Sequence, residues 1–130
     1  MTRNPLLISL LALAAGCETD RPAEWSYLHA AIVGPSCATA SCHSNAASLA
    51  GIDLSTRESA YTFLTGRVCG APPHPEDAPG NYVFPYAPER SRLLYLLRGD
   101  QGRIMPPDLP LPDVEIGLIE TWITEGAPCD

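Results

Sequence analysis

The chain has 130 residues, 45% of them hydrophobic, with 14 prolines and 10 glycines, so it holds one small domain with a modest core and many loops. Its formal charge is −7, and its eight Lys/Arg-type cations are all arginine; an acidic, lysine-free surface argues against nucleic acid, which needs clustered cations. A domain this small is marginal on apolar burial alone and gains from disulfides or a covalently held cofactor.

At the N-terminus, Arg3 precedes a short apolar run from Leu6 to Ala15 that ends in small residues. That is the pattern of an export signal over residues 1–17, too short for a transmembrane helix of about 20 apolar residues. The stretch Leu13-Ala14-Ala15-Gly16-Cys17 resembles a bacterial lipoprotein signal. The resemblance implies cleavage before Cys17, lipidation of that cysteine and stable membrane anchoring, each buried CH₂ contributing roughly 0.8 kcal/mol. The expected location is extracytoplasmic, on the periplasmic or outer-membrane side, where disulfides are permitted. Residues 18–23 then read as a tether and residues 24–130 as the folded domain.

Trp25, Leu28, Ala31 and Ile32 fall on one helical face, predicting a first helix over 24–33 that Gly34-Pro35 stops. Directly after it comes Cys37-Ala38-Thr39-Ala40-Ser41-Cys42-His43. Two thiols followed at once by an imidazole is the arrangement that c-type haem attachment requires: each sulfur forms a thioether to a vinyl group, and the histidine ligates the iron. The usual spacing leaves two residues between the cysteines, and here there are four. All four are small, so the extra pair has room to bulge outward.

Ser55-Thr56-Arg57-Glu58 has the spacing of a capping box and predicts a second helix to about Thr65, with Gly66 as its end. Residues 67–87 are rich in proline and read as an irregular loop. Pro88 suits a first helical turn, giving a third helix from Glu89 to Arg98 with Leu93, Leu94 and Leu97 on its buried side and Gly99 after it. A loop from Asp100 to Leu111 carries Met105-Pro106-Pro107. Pro112, Asp113 and Glu115 favour the start of a last helix, whose apolar face is Val114, Leu118, Ile119, Trp122 and Ile123, and Gly126 ends it. No strand alternation of useful length occurs, so the fold class expected is all-α, with about four short helices.

An iron held by His43 needs a second axial ligand or leaves that face open. Met105 is the only methionine after the signal segment, 62 residues beyond His43 and in a loop. A following proline disfavours helix there, so Met105 should be extended and able to present its thioether, a soft neutral ligand that raises the reduction potential.

These features in order resemble the small class I cytochromes c and the cytochrome c-like domains of exported bacterial proteins. They are the N-terminal helix, the Cys…Cys-His segment, the Met-Pro loop, and a last helix ending Glu120-Thr121-Trp122-Ile123-Thr124-Glu125-Gly126-Ala127-Pro128. The resemblance covers residues 24–128. It implies haem c bound covalently by Cys37 and Cys42, with His43 as proximal and Met105 as distal iron ligand. It also implies crossed first and last helices, with Trp25, Leu28, Ile32, Leu118 and Trp122 in their contact. The function implied is a monomeric monohaem electron carrier that passes one electron between redox partner proteins, and not an enzyme.

With Cys17 lipidated, four cysteines remain. If Cys37 and Cys42 hold haem, Cys69 and Cys129 are left to form a disulfide. Two disulfides, Cys37–Cys42 and Cys69–Cys129, use every thiol as well and define an alternative, a non-haem lipoprotein of the same fold acting as a structural or binding module. Counting does not choose between them. His29 and His74 are weaker ligand candidates, and Arg98 and Arg103 are weak candidates for haem propionates. Zinc at Cys37, Cys42 and His43 is disfavoured, because adjacent residues rarely reach one tetrahedral site. Nucleophile-elbow, zinc-protease and phosphate-loop motifs are all missing from the sequence.

Overall fold

The computed structural model describes residues 20–72 and 82–130, so the expectations for Cys17 and His74 lie outside the described residues. Four α-helices and no strand are found among the described residues, which makes the fold all-α.

Helix α1 (residues 25–37) runs through Gly34-Pro35 instead of stopping there. It is built from Trp25–Leu28, His29–Val33 and Gly34–Cys37, and its middle stretch is a wide π turn. The Gly34 N–H reaches back five residues to the His29 carbonyl, and Ala38 N donates to Val33 O at 3.2 Å. Proline lacks an N–H, and in a regular helix its ring would crowd the carbonyl four residues back. The wider turn relieves that crowding, and Gly34 permits it: a Cβ there would stand 3.1 Å from the His29 carbonyl oxygen.

Helix α2 (Arg57–Thr65) starts one residue later than the capping pattern suggested. Its box is Thr56 with Ser59, whose backbone N–H groups and hydroxyls bond reciprocally at 3.0 and 3.3 Å, and not Ser55 with Glu58. Ser55 is taken instead by the Asp53 carboxylate, at 2.9 Å from its N–H and 2.6 Å from its hydroxyl. Helix α3 (Arg92–Arg98) is also shorter than expected, because Pro88–Arg90 form a separate 3₁₀ turn. Buried Ser91 separates the two: its hydroxyl accepts from Phe84 N at 2.9 Å and donates to Ala87 O at 3.1 Å. Gly66 and Gly99 close α2 and α3.

Helix α4 (Asp113–Thr124) has Pro112 just before its first residue, at the cap, and not inside it. Val114 is 60% exposed, so it does not belong to the buried face, which is Ile116, Ile119, Trp122 and Ile123. The buried stripe starts two residues later than expected, at Ile116, and Leu118 is only half-buried.

Helices α1 and α4 meet at Trp25 and Trp122, whose rings stack with centroids 4.9 Å apart and planes 24° from parallel. Tyr61 of α2 packs edge-on to Trp122 at 6.3 Å. Both indoles are fully buried because both N–H groups are satisfied: Trp25 donates to Arg57 O at 3.1 Å and Trp122 to Pro128 O at 2.8 Å. Leu28, Ile32, Leu64, Leu94 and Leu97 complete the core around them.

The tail after α4 is bound down at several points. Tyr61 donates its hydroxyl to Ala127 O at 2.9 Å, and Cys129 is disulfide-bonded to Cys69. The Asp130 carboxylate accepts the Ser26 N–H at 2.9 Å and the Ser26 hydroxyl, so it satisfies a free backbone donor in the first turn of α1. No helix among the described residues is long and apolar enough to cross a membrane.

Candidate haem-binding cleft

The C-terminal end of α1 delivers Cys37 to a cleft of about 320 Å³ that His43, Leu49, Ile52, Phe63, Tyr82, Leu93, Leu96, Arg92, Arg103 and Met105 also line. A smaller hollow beside it shares Cys37, His43, Leu49 and Met105 and adds Cys42, Pro106 and Pro107. The structure therefore brings Cys37, Cys42, His43 and Met105 to one place, although Met105 is far from the others in sequence.

The four residues between the cysteines form an outward bulge. Cys42 N donates to Thr39 O at 3.0 Å, and His43 N donates to Cys37 O at 3.1 Å, so the loop closes on itself. Ala40 and Ser41, at its tip, are exposed, while Cys37, Cys42 and His43 stay half-buried. Both thiols are free. Burial, and secondarily the neighbouring Cys42 sulfur, push the Cys37 thiol up to about 11.

His43 is braced by the loop that follows it. Its Nδ1 lies 3.1 Å from the Leu49 carbonyl oxygen, which can only accept, so Nδ1 carries a proton and, in the neutral ring, Nε2 holds the lone pair. That is the tautomer an iron ligand needs. Leu49 N in turn donates to Cys42 O at 3.0 Å, and Leu54 N donates to His43 O at 2.8 Å. Leu49 thus holds both the imidazole and the backbone of the cysteine before it. The loop pays in conformation, since Ser48 and Ala50 adopt left-handed backbone angles on either side of Leu49 (φ 40° and 58°).

Met105 is fixed by its backbone, which donates to Leu96 O at 2.9 Å. It is 37% exposed and Leu49 is 56% exposed. A cleft with apolar walls and two large apolar residues uncovered at its mouth is suited to an apolar occupant that would cover them.

The remaining sequence candidates sort cleanly. His29 sits on α1 with Nε2 donating to Leu54 O at 3.1 Å, so it is a satisfied structural residue. Arg98 is turned to Glu120 at 2.7 Å, an exposed ion pair away from the cleft, whereas Arg103 lines it. Among the described residues no three His, Cys, Asp or Glu side chains gather as a bare metal ion would require. Sequence reasoning missed Leu49, Phe63, Tyr82 and Arg92. The role of Leu49 belongs to its peptide group and has no side-chain signature. Phe63 and Tyr82, ring centroids 5.1 Å apart, form a wall only after α2 and the loop before α3 are folded together.

The donor set fits a c-type haem: two unpaired thiols a bulge apart, an imidazole in the ligating tautomer, a thioether, and apolar walls with arginines among them. No protein-family model, curated protein or solved structure matches the chain.

Proposed function

We infer that the protein is an extracytoplasmic, lipid-anchored monohaem c-type cytochrome of cytochrome c-like fold, carrying one electron between redox partner proteins. The observation that carries this reading is the gathering of Cys37, Cys42, His43 and Met105 on one apolar cleft. Bound there, haem supplies a one-electron Fe(III)/Fe(II) couple.

The chain's own residues account for the rest. Cys37 and Cys42 provide two covalent tethers, and the free state of both thiols favours this role over a local disulfide. The Leu49 carbonyl orients His43 and raises its basicity as a ligand. Met105, neutral and soft, favours the reduced iron. Phe63, Tyr82, Leu93 and Leu96 exclude water from the walls, and a drier site also tunes the potential. Arg103 lines the same cleft, and a guanidinium there suits pairing with a carboxylate on the occupant.

Expression with a c-type maturation system tests this directly. Haem should remain on the denatured polypeptide in a stained gel and give a c-type pyridine haemochrome spectrum. A chain that stays colourless while a control cytochrome matures would overturn the proposal.

A further inference from the structure

The wide turn inside α1 buries Ile32 and Val33 in the core and lies one turn before the first cysteine of the proposed haem site. In a regular helix Cys37, nine residues after Leu28 at about 100° each, would stand on the opposite face from it. The residue one turn beyond Ile32 would be Ser36. In this helix Ile32 and Val33 are both buried, Pro35 is exposed, and Cys37 packs against the core. The buried stripe has moved by one residue, from Ile32 to Val33, and Cys37 follows Val33 by one turn.

We propose that the π turn at His29–Val33 is the device that lets this cysteine spacing serve. It inserts one residue into α1 and rotates the last turn so that Cys37 lines the cleft while Ala38 to Ser41 bulge outward. Gly34 and Pro35 are its positioning residues: proline disfavours the regular helix, and glycine leaves room for the close approach to the His29 carbonyl. The inference rests on the haem reading. Attachment is redox-neutral, since each thiol S–H adds across a vinyl C=C, forming a C–S bond and leaving the hydrogen on the adjacent carbon.

The test is a break and a rescue. Gly34→Ala/Pro35→Ala restores a backbone donor, adds strong helix formers and should return the segment to regular helix. Cys37 then rotates out of the cleft, and haem is held through Cys42 alone. Mass spectrometry of the alkylated, denatured protein should find the Cys37 peptide alkylated in this variant and not in the wild type. Deleting Ala31 in the same background removes the inserted residue, restores the register without the wide turn, and should return Cys37 to the haem. Two attachments in the double variant, or an alkylated Cys37 after the deletion, overturns the proposal. If the double variant does not fold, the deletion variant alone decides.

A haem-free measurement separates this inference from the reading it rests on. In native haem-free protein, alkylation of Cys37 should be at least about tenfold faster in the double variant than in wild type, as exposure rises. Deletion of Ala31 should bring the rate back. Equal rates in all three would overturn the proposal, whereas a wild type that never takes haem covalently overturns only the cytochrome assignment.

Discussion

The residues of the cleft differ in how they could be read in advance. Cys37, Cys42, His43 and Met105 are chemically unusual side chains and stand out in a sequence. The Leu49 carbonyl that sets the His43 tautomer does not, because every residue has one and only the loop's left-handed turns aim it. On the proposed cytochrome reading, replacing Met105 with alanine should leave covalent haem in place, remove the weak long-wavelength band of oxidised His/Met haem and lower the midpoint potential. An unchanged spectrum and potential would exclude Met105 as the ligand. Asp130 offers a second test, one that needs no haem. Burial alone would raise its pKa, but the hydrogen bonds from the Ser26 side chain and backbone outweigh burial and hold the carboxyl below its ordinary value. Its ionised form is therefore favoured by folding. That stabilisation is complete above the unfolded value of about 3.9 and is lost as pH falls through the lower folded value. The difference in Tm between wild type and Asp130→Asn should be present at neutral pH and close in that acidic window. A gap independent of pH would show that the carboxylate contributes nothing through its charge.

At the scale of elements, the turn after α4 carries a strict requirement. Gly126 has φ +98°, and a Cβ there would overlap the Tyr86 ring. Gly126→Ala should therefore cost about 1–3 kcal/mol, read as a lowered denaturation midpoint in urea, with the left-handed strain and the clash adding. A variant as stable as wild type would mean that Tyr86 swings away freely. The existence and order of all four helices were legible from apolar spacing and from glycine and proline punctuation. Their ends were less so, for reasons specific to each. Gly34-Pro35 signals a stop unless the backbone can widen, and here it does. Ser55 and Thr56 compete to cap α2, and Asp53 decides the matter by capturing Ser55. Pro88 starts a turn as expected, but buried Ser91 diverts the chain before α3 begins. In each case a neighbour a few residues away settles an ambiguity that local propensity leaves open.

For the whole molecule, long-range ties gather on the segment after α4. Cys69 and Cys129, 60 residues apart in sequence, tie the segment after α2 to the C-terminus, which adds to the hydrogen bonds between Ser26 and Asp130. Cross-linking a loop of that length removes chain entropy worth about 4 kcal/mol from the unfolded state. Cys69→Ala/Cys129→Ala should lower the unfolding free energy by roughly 2–5 kcal/mol in chemical denaturation. A loss below about 1 kcal/mol would place the burden of stability on the core instead. An all-α architecture follows from the sequence pattern alone. The cleft does not, since its walls come from stretches spread between Cys37 and Met105 that meet only after folding.

The stacked indoles of α1 and α4 have one more consequence. They are the only two tryptophans in the chain, held 4.9 Å apart and shut away from water. Transition dipoles that close couple as an exciton pair, so the folded protein should carry a circular-dichroism couplet that vanishes when the two helices part. The join between the beginning and the end of the domain is thereby an optical gauge of its own integrity, built in without any label.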